Sequence, residues 1–228
     1  MTSPRDRALD FYFDFISPYA YLAFTQLPAL RQRTGAVIRY QPVLFAGLLG
    51  AHGQLGPAEI PAKRAWVGAN IMRIAARLGV PLDAPLHHPF NPLLALRAVE
   101  ALDDQGERER AAGAIYAAVW AERKHVAEAD VLAGVLDDAG FDGARVVERT
   151  RDDAVKGALR AATDRAIAGG VFGVPTFVVG GIGGVFWGCD DLDNVERALR
   201  GDDPLGQPAV AARLARWLEI TPSATRKR

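Results

Sequence analysis

Leu9-Asp10-Phe11-Tyr12-Phe13-Asp14-Phe15-Ile16-Ser17-Pro18-Tyr19-Ala20-Tyr21-Leu22 holds the architecture of this chain in miniature. From Leu9 to Phe15, apolar residues alternate with Asp and Tyr, and the aromatics suit a pleated surface, so this stretch reads as a strand. Ser17-Pro18 follows at once. Ser is a preferred N-cap, and Pro at the first helical position loses nothing by lacking an N–H. A helix therefore starts at the carboxyl end of the strand. It continues through Tyr21, Leu22 and Phe24, is expected to bend at Pro28, where an interior N–H is missing, and stops near Gly35. Residues 36–44 then read as a second strand.

The pattern changes beyond Leu44. Residues 60–78, 91–104, 108–123, 129–139 and 152–168 all place apolar side chains at three- and four-residue spacing, and no strand interrupts them. A short β-rich run returns at 174–181, a Gly-rich turn follows, and 184–187 reads as its hairpin partner. Helices are expected at 190–199 and 206–218, with a frayed basic tail at 221–228. Strand, helix, strand at one end and hairpin, helix at the other predict the α/β class. Segments 1–44 and 170–228 form one domain, interrupted by an all-helical insertion at 45–169. No internal repeat is visible.

With 228 residues, half of them hydrophobic, the chain can bury a sizeable core. Lys plus Arg and Asp plus Glu both total 27, so no net field favours nucleic acid or a membrane as partner. Residues 1–10 carry Arg5, Asp6 and Arg7 without an apolar run, and no apolar stretch approaches the roughly 20 residues that span a bilayer. The expected location is the cytoplasm. Cys189 is the single cysteine, which excludes an internal disulfide and fits a reducing compartment. His87 and His88 are adjacent with no further ligand at metal spacing, so no metal site is expected. Gly180 to Gly184 lacks the Lys-Ser/Thr of a phosphate loop. Ser17 lies outside a Gly-x-Ser-x-Gly elbow, which argues against a serine hydrolase.

An ordinary capping role would account for Ser17 alone, but three segments point further. Phe13 to Leu22 puts Ser17 at a strand-to-helix turn. Phe172-Gly173-Val174-Pro175-Thr176-Phe177 resembles a cis-proline loop. Phe186-Trp187-Gly188-Cys189-Asp190-Asp191-Leu192-Asp193 resembles a glutathione-binding stretch. Together they resemble the 2-hydroxychromene-2-carboxylate isomerase family, glutathione-dependent DsbA-like proteins related to kappa-class glutathione transferases. The likeness covers about residues 9 to 200 and implies a thioredoxin-like domain carrying the helical insertion. Thioredoxin-like disulfide oxidoreductases have Cys-x-x-Cys where this chain has Ser17-Pro18-Tyr19-Ala20, so dithiol exchange is excluded and the reactive sulfur must come from a bound thiol. A helix N-terminus, with free N–H groups and about half a positive charge, favours a thiolate.

The resemblance implies glutathione as cofactor, with Ser17 as hydrogen-bond donor to its sulfur. It implies that Pro175 is cis and that Val174 keeps its backbone N–H and C=O free to pair with the extended tripeptide. Asp190 would bind the γ-glutamyl amine, with Gly188 and Cys189 in the same stretch, and Lys63 the glycyl carboxylate. Gln54 stands where relatives often carry Asn. Tyr19 and Asn91 are candidates for the substrate side, although Asn91-Pro92 also reads as a helix start. Two departures stand out: Cys189 replaces an Asn or Gln, and Asp191 replaces an Arg, reversing the local charge. The implied reaction is reversible isomerisation of a bicyclic aromatic hemiketal acid to its open benzylidenepyruvate, with a small aromatic carboxylate as substrate and a homodimer as the assembly. A kappa-like transferase and a non-catalytic thioredoxin-like binding protein are the alternatives.

Overall fold

The computed structural model describes residues 8–223; the last five residues of the basic tail expected at 221–228 lie outside them. Strand β1 (Ala8–Phe13) runs through the middle of a four-stranded sheet ordered β2-β1-β3-β4. On one side it pairs in parallel with β2 (Val37–Pro42), which requires a crossover, and α1 (Pro18–Thr34) supplies it. On the other side it pairs antiparallel with β3 (Thr176–Val179), which pairs in turn with the two-residue β4 (Phe186–Trp187). Phe11 thus lies opposite Tyr40 on one neighbour and Phe177 on the other. The rings follow this register. Phe11 stacks on Phe177 at 5.3 Å and on Phe13 at 5.3 Å, and meets Tyr40 edge-on at 6.2 Å.

Helix α1 begins where Ser17 and Pro18 predict. The Ala20 N–H donates to Ser17 Oγ at 3.2 Å, and the helix ends at Gly35, whose φ of 68° lets its N–H close on Arg31 O. Pro28 lies within the helix and does not end it.

Between β2 and β3 the chain is helical: α2 (Phe45–His52), α3 (Pro61–Leu78), α4 (Leu93–Glu100), α5 (Gln105–Trp120), α6 (Ala129–Asp138), α7 (Gly143–Arg149) and α8 (Asp153–Ala168). Two of these go unseen in the sequence pattern. At eight and seven residues, α2 and α7 are too short for a 3.6-residue period to declare itself. The single helix expected at 91–104 ends at Glu100, because Asp104 caps the next helix by accepting the Glu107 N–H at 3.0 Å.

The insertion shares its core with the sheet. Tyr116 on α5 is fully buried, with its ring 4.8 Å from Phe15 and 5.4 Å from Phe24 of α1. Gly113, one turn earlier, admits Phe24, since a Cβ there would lie 3.3 Å from that ring. Thr163 of α8 accepts the Leu44 N–H at 3.0 Å, fixing the exit of β2. After β4 come α9 (Leu192–Leu199) and α10 (Pro208–Leu218), and α10 buries none of its residues. No helix among the described residues is long and apolar enough to cross a membrane.

Phe11→Ala, at the centre of the aromatic stack, should lower the unfolding free energy in urea by about 3–5 kcal/mol. Trp217→Ala on α10, 72 % exposed, should change it by no more than about 0.5 kcal/mol.

Candidate functional site

Between β1 and α1 the backbone turns through Asp14, Phe15, Ile16 and Ser17 inside the protein; Asp14 and Phe15 are wholly buried and Ser17 is 8 % exposed. A buried backbone polar group left unpaired costs about 1–3 kcal/mol. Each carbonyl before Ser17 has a partner from the insertion. Asp14 O accepts the Tyr116 hydroxyl at 3.3 Å, Phe15 O accepts the Trp120 indole N–H at 2.9 Å, and Ile16 O lies 3.0 Å from His88 Nε2. A carbonyl can only accept, so His88 Nε2 carries the proton. Burial pushes the His88 pKa below its ordinary value, which favours that neutral ring. The Asp14 carboxylate takes the Ile16 N–H at 3.1 Å and, across the insertion boundary, the Phe45 N–H at 2.9 Å. Ser17 N–H closes the turn on Asp14 O at 3.2 Å.

Held in this way, Ser17 faces the loop before β3. Its hydroxyl lies 3.4 Å from Val174 O, and the Val174–Pro175 peptide bond is cis. The expectation that Val174 keeps both backbone groups free needs correcting, because its carbonyl already receives the Ser17 hydroxyl. Its N–H has no partner among the described residues. In the first turn of α1, Pro18 has no N–H and Ala20 N–H is spent on Ser17 Oγ, which leaves the Tyr19 N–H, without a partner among the described residues, as the donor beside that hydroxyl. At 3.4 Å the bond to Val174 O is long, so the Ser17 proton can be redirected to a nearby anion at small cost.

The Tyr19 side chain gathers the rest. Its hydroxyl accepts from Asn70 Nδ2 of α3 at 2.9 Å. Burial pushes the Tyr19 pKa up, and the nearby Cys189 and Asp190 act in the same direction. Tyr19 therefore ties the start of α1 to α3, near the loop before α9. In that loop Gly188 has φ 104°, and a Cβ on it would come within 2.5 Å of Asp190 Oδ1. Asp190 is exposed and makes no hydrogen bond or ion pair among the described residues. Burial raises the Cys189 thiol to about 11, which keeps it protonated at neutral pH. Asp191 turns inward to accept from Trp187 N–H at 3.1 Å and Asn194 Nδ2 at 2.7 Å, and the helix starts at Leu192. The reversed charge at this position thus closes the β4–α9 loop.

Three candidates stand apart. Lys63 lies exposed in the first turn of α3, with no ion-pair partner among the described residues. Gln54 follows α2, exposed and without a side-chain hydrogen bond among them. Asn91 Oδ1 accepts the Leu93 N–H at 3.0 Å, so its side chain serves the start of α4. Sequence reasoning overlooked Asn70, although it lies seven residues after Lys63 and so on the same side of the helix. No group of three or more His, Cys, Asp or Glu among the described residues could hold a metal ion.

Residues 8–200 match the model of the DSBA-like thioredoxin domain, and the chain is a DsbA-like thioredoxin-domain protein. It is 35 % identical over 195 residues to a 2-hydroxychromene-2-carboxylate isomerase of Sphingobium xenophagum, which spans 85 % of this chain and 98 % of that protein. Glutathione S-transferase kappa 1 of Rattus norvegicus is 26 % identical over 92 % of this chain and 99 % of its own length. A solved 2-hydroxychromene-2-carboxylate isomerase superposes with a TM-score of 0.78 at 26 % identity, covering 93 % of this chain and all of that one. Within its fold class the chain belongs to the 2-hydroxychromene-2-carboxylate isomerase family.

The buried Asp14 gives the site a pH signature. Burial pushes its carboxyl up to about 7, against the pull of the Phe45 and Ile16 N–H groups. With a folded pKa above the unfolded value, the native state binds more protons between about pH 4 and pH 7. This contribution is fully present below the unfolded pKa and is lost as pH rises through about 7. In urea unfolding, wild type should lose up to about 4 kcal/mol across that window relative to Asp14→Asn, which cannot ionise. Parallel pH profiles for the two proteins would mean that Asp14 is ionised throughout.

Proposed function

We propose that this protein is a glutathione-dependent cis/trans isomerase acting on 2-hydroxychromene-2-carboxylate or a similar aromatic-degradation intermediate, with Ser17 stabilising the glutathione thiolate. The observation that carries this reading is the Ser17 hydroxyl at the α1 N-terminus, 3.4 Å from Val174 O, with the free Tyr19 N–H beside it. The names of the relatives, an isomerase and a kappa glutathione transferase, point the same way. The groups left unpaired among the described residues suit the tripeptide: the N–H of Val174, the carboxylate of Asp190 and the ammonium of Lys63.

Glutathione, when bound, supplies a sulfur that adds reversibly to the conjugated side chain of the substrate, so that a double bond becomes a rotatable single one. The protein holds that sulfur as the anion. Ser17 donates its hydroxyl proton and Tyr19 its backbone N–H, at the positive end of a 17-residue helix. Val174 N–H pairs with the extended tripeptide, as a strand edge would. Lys63 takes the glycyl carboxylate and Asp190 the γ-glutamyl amine. Tyr19 lines the substrate side, and the insertion, residues 45–169, gives the aromatic pocket its shape. We assign the protein to the cytoplasm, where glutathione is reduced, as a homodimer.

A kappa-like transferase would use the same groups but release the sulfur adduct. Mass analysis after incubating the hydroxychromene acid with glutathione separates the two: an isomerase returns product of unchanged mass, a transferase product carrying the thiol. If calorimetry detects no glutathione binding to folded protein at millimolar thiol, both give way to a binding protein without catalysis. Ser17→Ala should lose about 1 kcal/mol of stability with the cap and lower turnover on the order of ten- to a thousand-fold, with a smaller change in glutathione affinity. Cys189→Ser should keep an appreciable share of activity, since the Cys189 thiol is held protonated.

A further inference from the structure

A groove of about 260 Å³ opens on the far side of Asp190, between α1, the C-terminal half of α3 and the start of α9. Leu22, Leu30, Ile74 and Leu192 form its apolar part, and four charges border it: Asp190, Asp193, Arg33 and Arg77. Two acids and two cations around one small groove suit a zwitterion better than a simple anion or cation. The charges are not equally available. Arg33 is committed, donating from Nε and Nη2 to Glu196 at 2.9 and 2.7 Å. Arg77 is exposed and has no ion pair or side-chain hydrogen bond among the described residues. Both Arg77 and Asp190 lie close enough to the Cys189 thiol to act on it, with opposite signs.

We infer that Arg77 receives the α-carboxylate of the γ-glutamyl end of the thiol cofactor while Asp190 receives its α-amine, so that Arg77 selects a thiol carrying a free amino-acid head group. The assignment rests on the glutathione reading given above. Its chemistry is that of amino-acid recognition: the head group presents an ammonium and a carboxylate on one carbon, and the groove offers, among the described residues, the unpaired guanidinium of Arg77 and the unpaired carboxylates of Asp190 and Asp193, of which Asp190 is the one beside Cys189 and near Tyr19. Arg suits the task because its planar fork matches a carboxylate in two parallel hydrogen bonds.

The course of α3 supports the placement. Lys63, Asn70 and Arg77 follow one another at seven-residue intervals, which keeps them within about 40° of one another around the helix. They flank the side that Ile71 and Ile74 bury. Asn70, in the middle, touches Tyr19. The ends of this row are roughly 21 Å apart along the axis, whereas an extended tripeptide spans about 11 Å. Two long basic side chains reaching inward cover the difference, so one helix can hold the carboxylates at both ends of the cofactor. An alternative role for Arg77 is to complement the negative end of the α3 dipole, and that role is blind to the ligand.

Calorimetry with three thiols tests the assignment: reduced glutathione, 4-aminobutyryl-Cys-Gly, which lacks the α-carboxylate, and glutaryl-Cys-Gly, which lacks the α-amine. Arg77→Met should weaken glutathione binding about tenfold or more and leave the affinity for 4-aminobutyryl-Cys-Gly within about twofold, with Arg77→Lys in between. Asp190→Asn should weaken glutathione and spare glutaryl-Cys-Gly. Circular dichroism checks that each variant folds. If Arg77→Met binds glutathione as wild type does, or loses both thiols equally, the Arg77 assignment fails while the glutathione site stands. If wild type binds none of the three, the glutathione reading fails and the assignment with it.

Discussion

A buried strand must become a helix within four residues, Asp14 to Ser17, of which Asp14, Phe15 and Ser17 are buried, so most of the backbone between them must be satisfied from within the protein. Much of the molecule answers that need. The carbonyls of Asp14, Phe15 and Ile16 are met by Tyr116, Trp120 and His88, all from the inserted helices, and the Asp14 side chain ties the turn to the first amide of α2. The insertion therefore does more than cover the sheet. It fixes the direction in which α1 leaves β1, and with it the place of Ser17. Removing the Trp120 or His88 donor would strand the Phe15 or Ile16 carbonyl, at about 1–3 kcal/mol each, whereas Asp14 O would keep the Ser17 N–H; either loss would loosen the residue on which the proposed chemistry depends.

Capping and the proposed thiolate binding draw on the same geometry. Ser17 Oγ accepts from Ala20 N–H, which consumes a lone pair but leaves its proton free to be given away. That proton goes to Val174 O at 3.4 Å, and a thiolate would be a better acceptor, because a charge-assisted bond is about twice as strong as a neutral one. The helix start thus supplies a hydroxyl, a backbone N–H and a partial positive charge at one point. It carries no nucleophile of its own, which is consistent with a bound thiol as the reacting group.

Much of this was legible in the sequence, for reasons of range. The alternation from Leu9 to Phe15, the Ser17-Pro18 helix start and the Val174-Pro175-Thr176-Phe177 loop are local signals, and the structure places the expected strands and helix at them. What escaped was non-local. Tyr116 and Trp120 lie about a hundred residues from the turn they support and read, from sequence, as two more apolar positions on an amphipathic helix. His88 drew notice only as a possible metal ligand, and its actual partner, the Ile16 carbonyl, carries no side-chain signature at all. Asp191 shows the same limit: the charge reversal is visible in the sequence, but its partners, the Trp187 N–H and Asn194, are not. Asn70 and Arg77 could have been found, since their seven-residue spacing from Lys63 is visible without a structure.

The proposed chemistry requires that the α1 N-terminus and Ser17 together make a thiolate out of a bound thiol. Titrating the ultraviolet thiolate absorbance of the glutathione complex against pH measures that directly. The account predicts an apparent pKa well below the ordinary thiol value of about 8.5, with the complex already substantially ionised at neutral pH. A bound thiol that titrates at or above the value of free glutathione would contradict it.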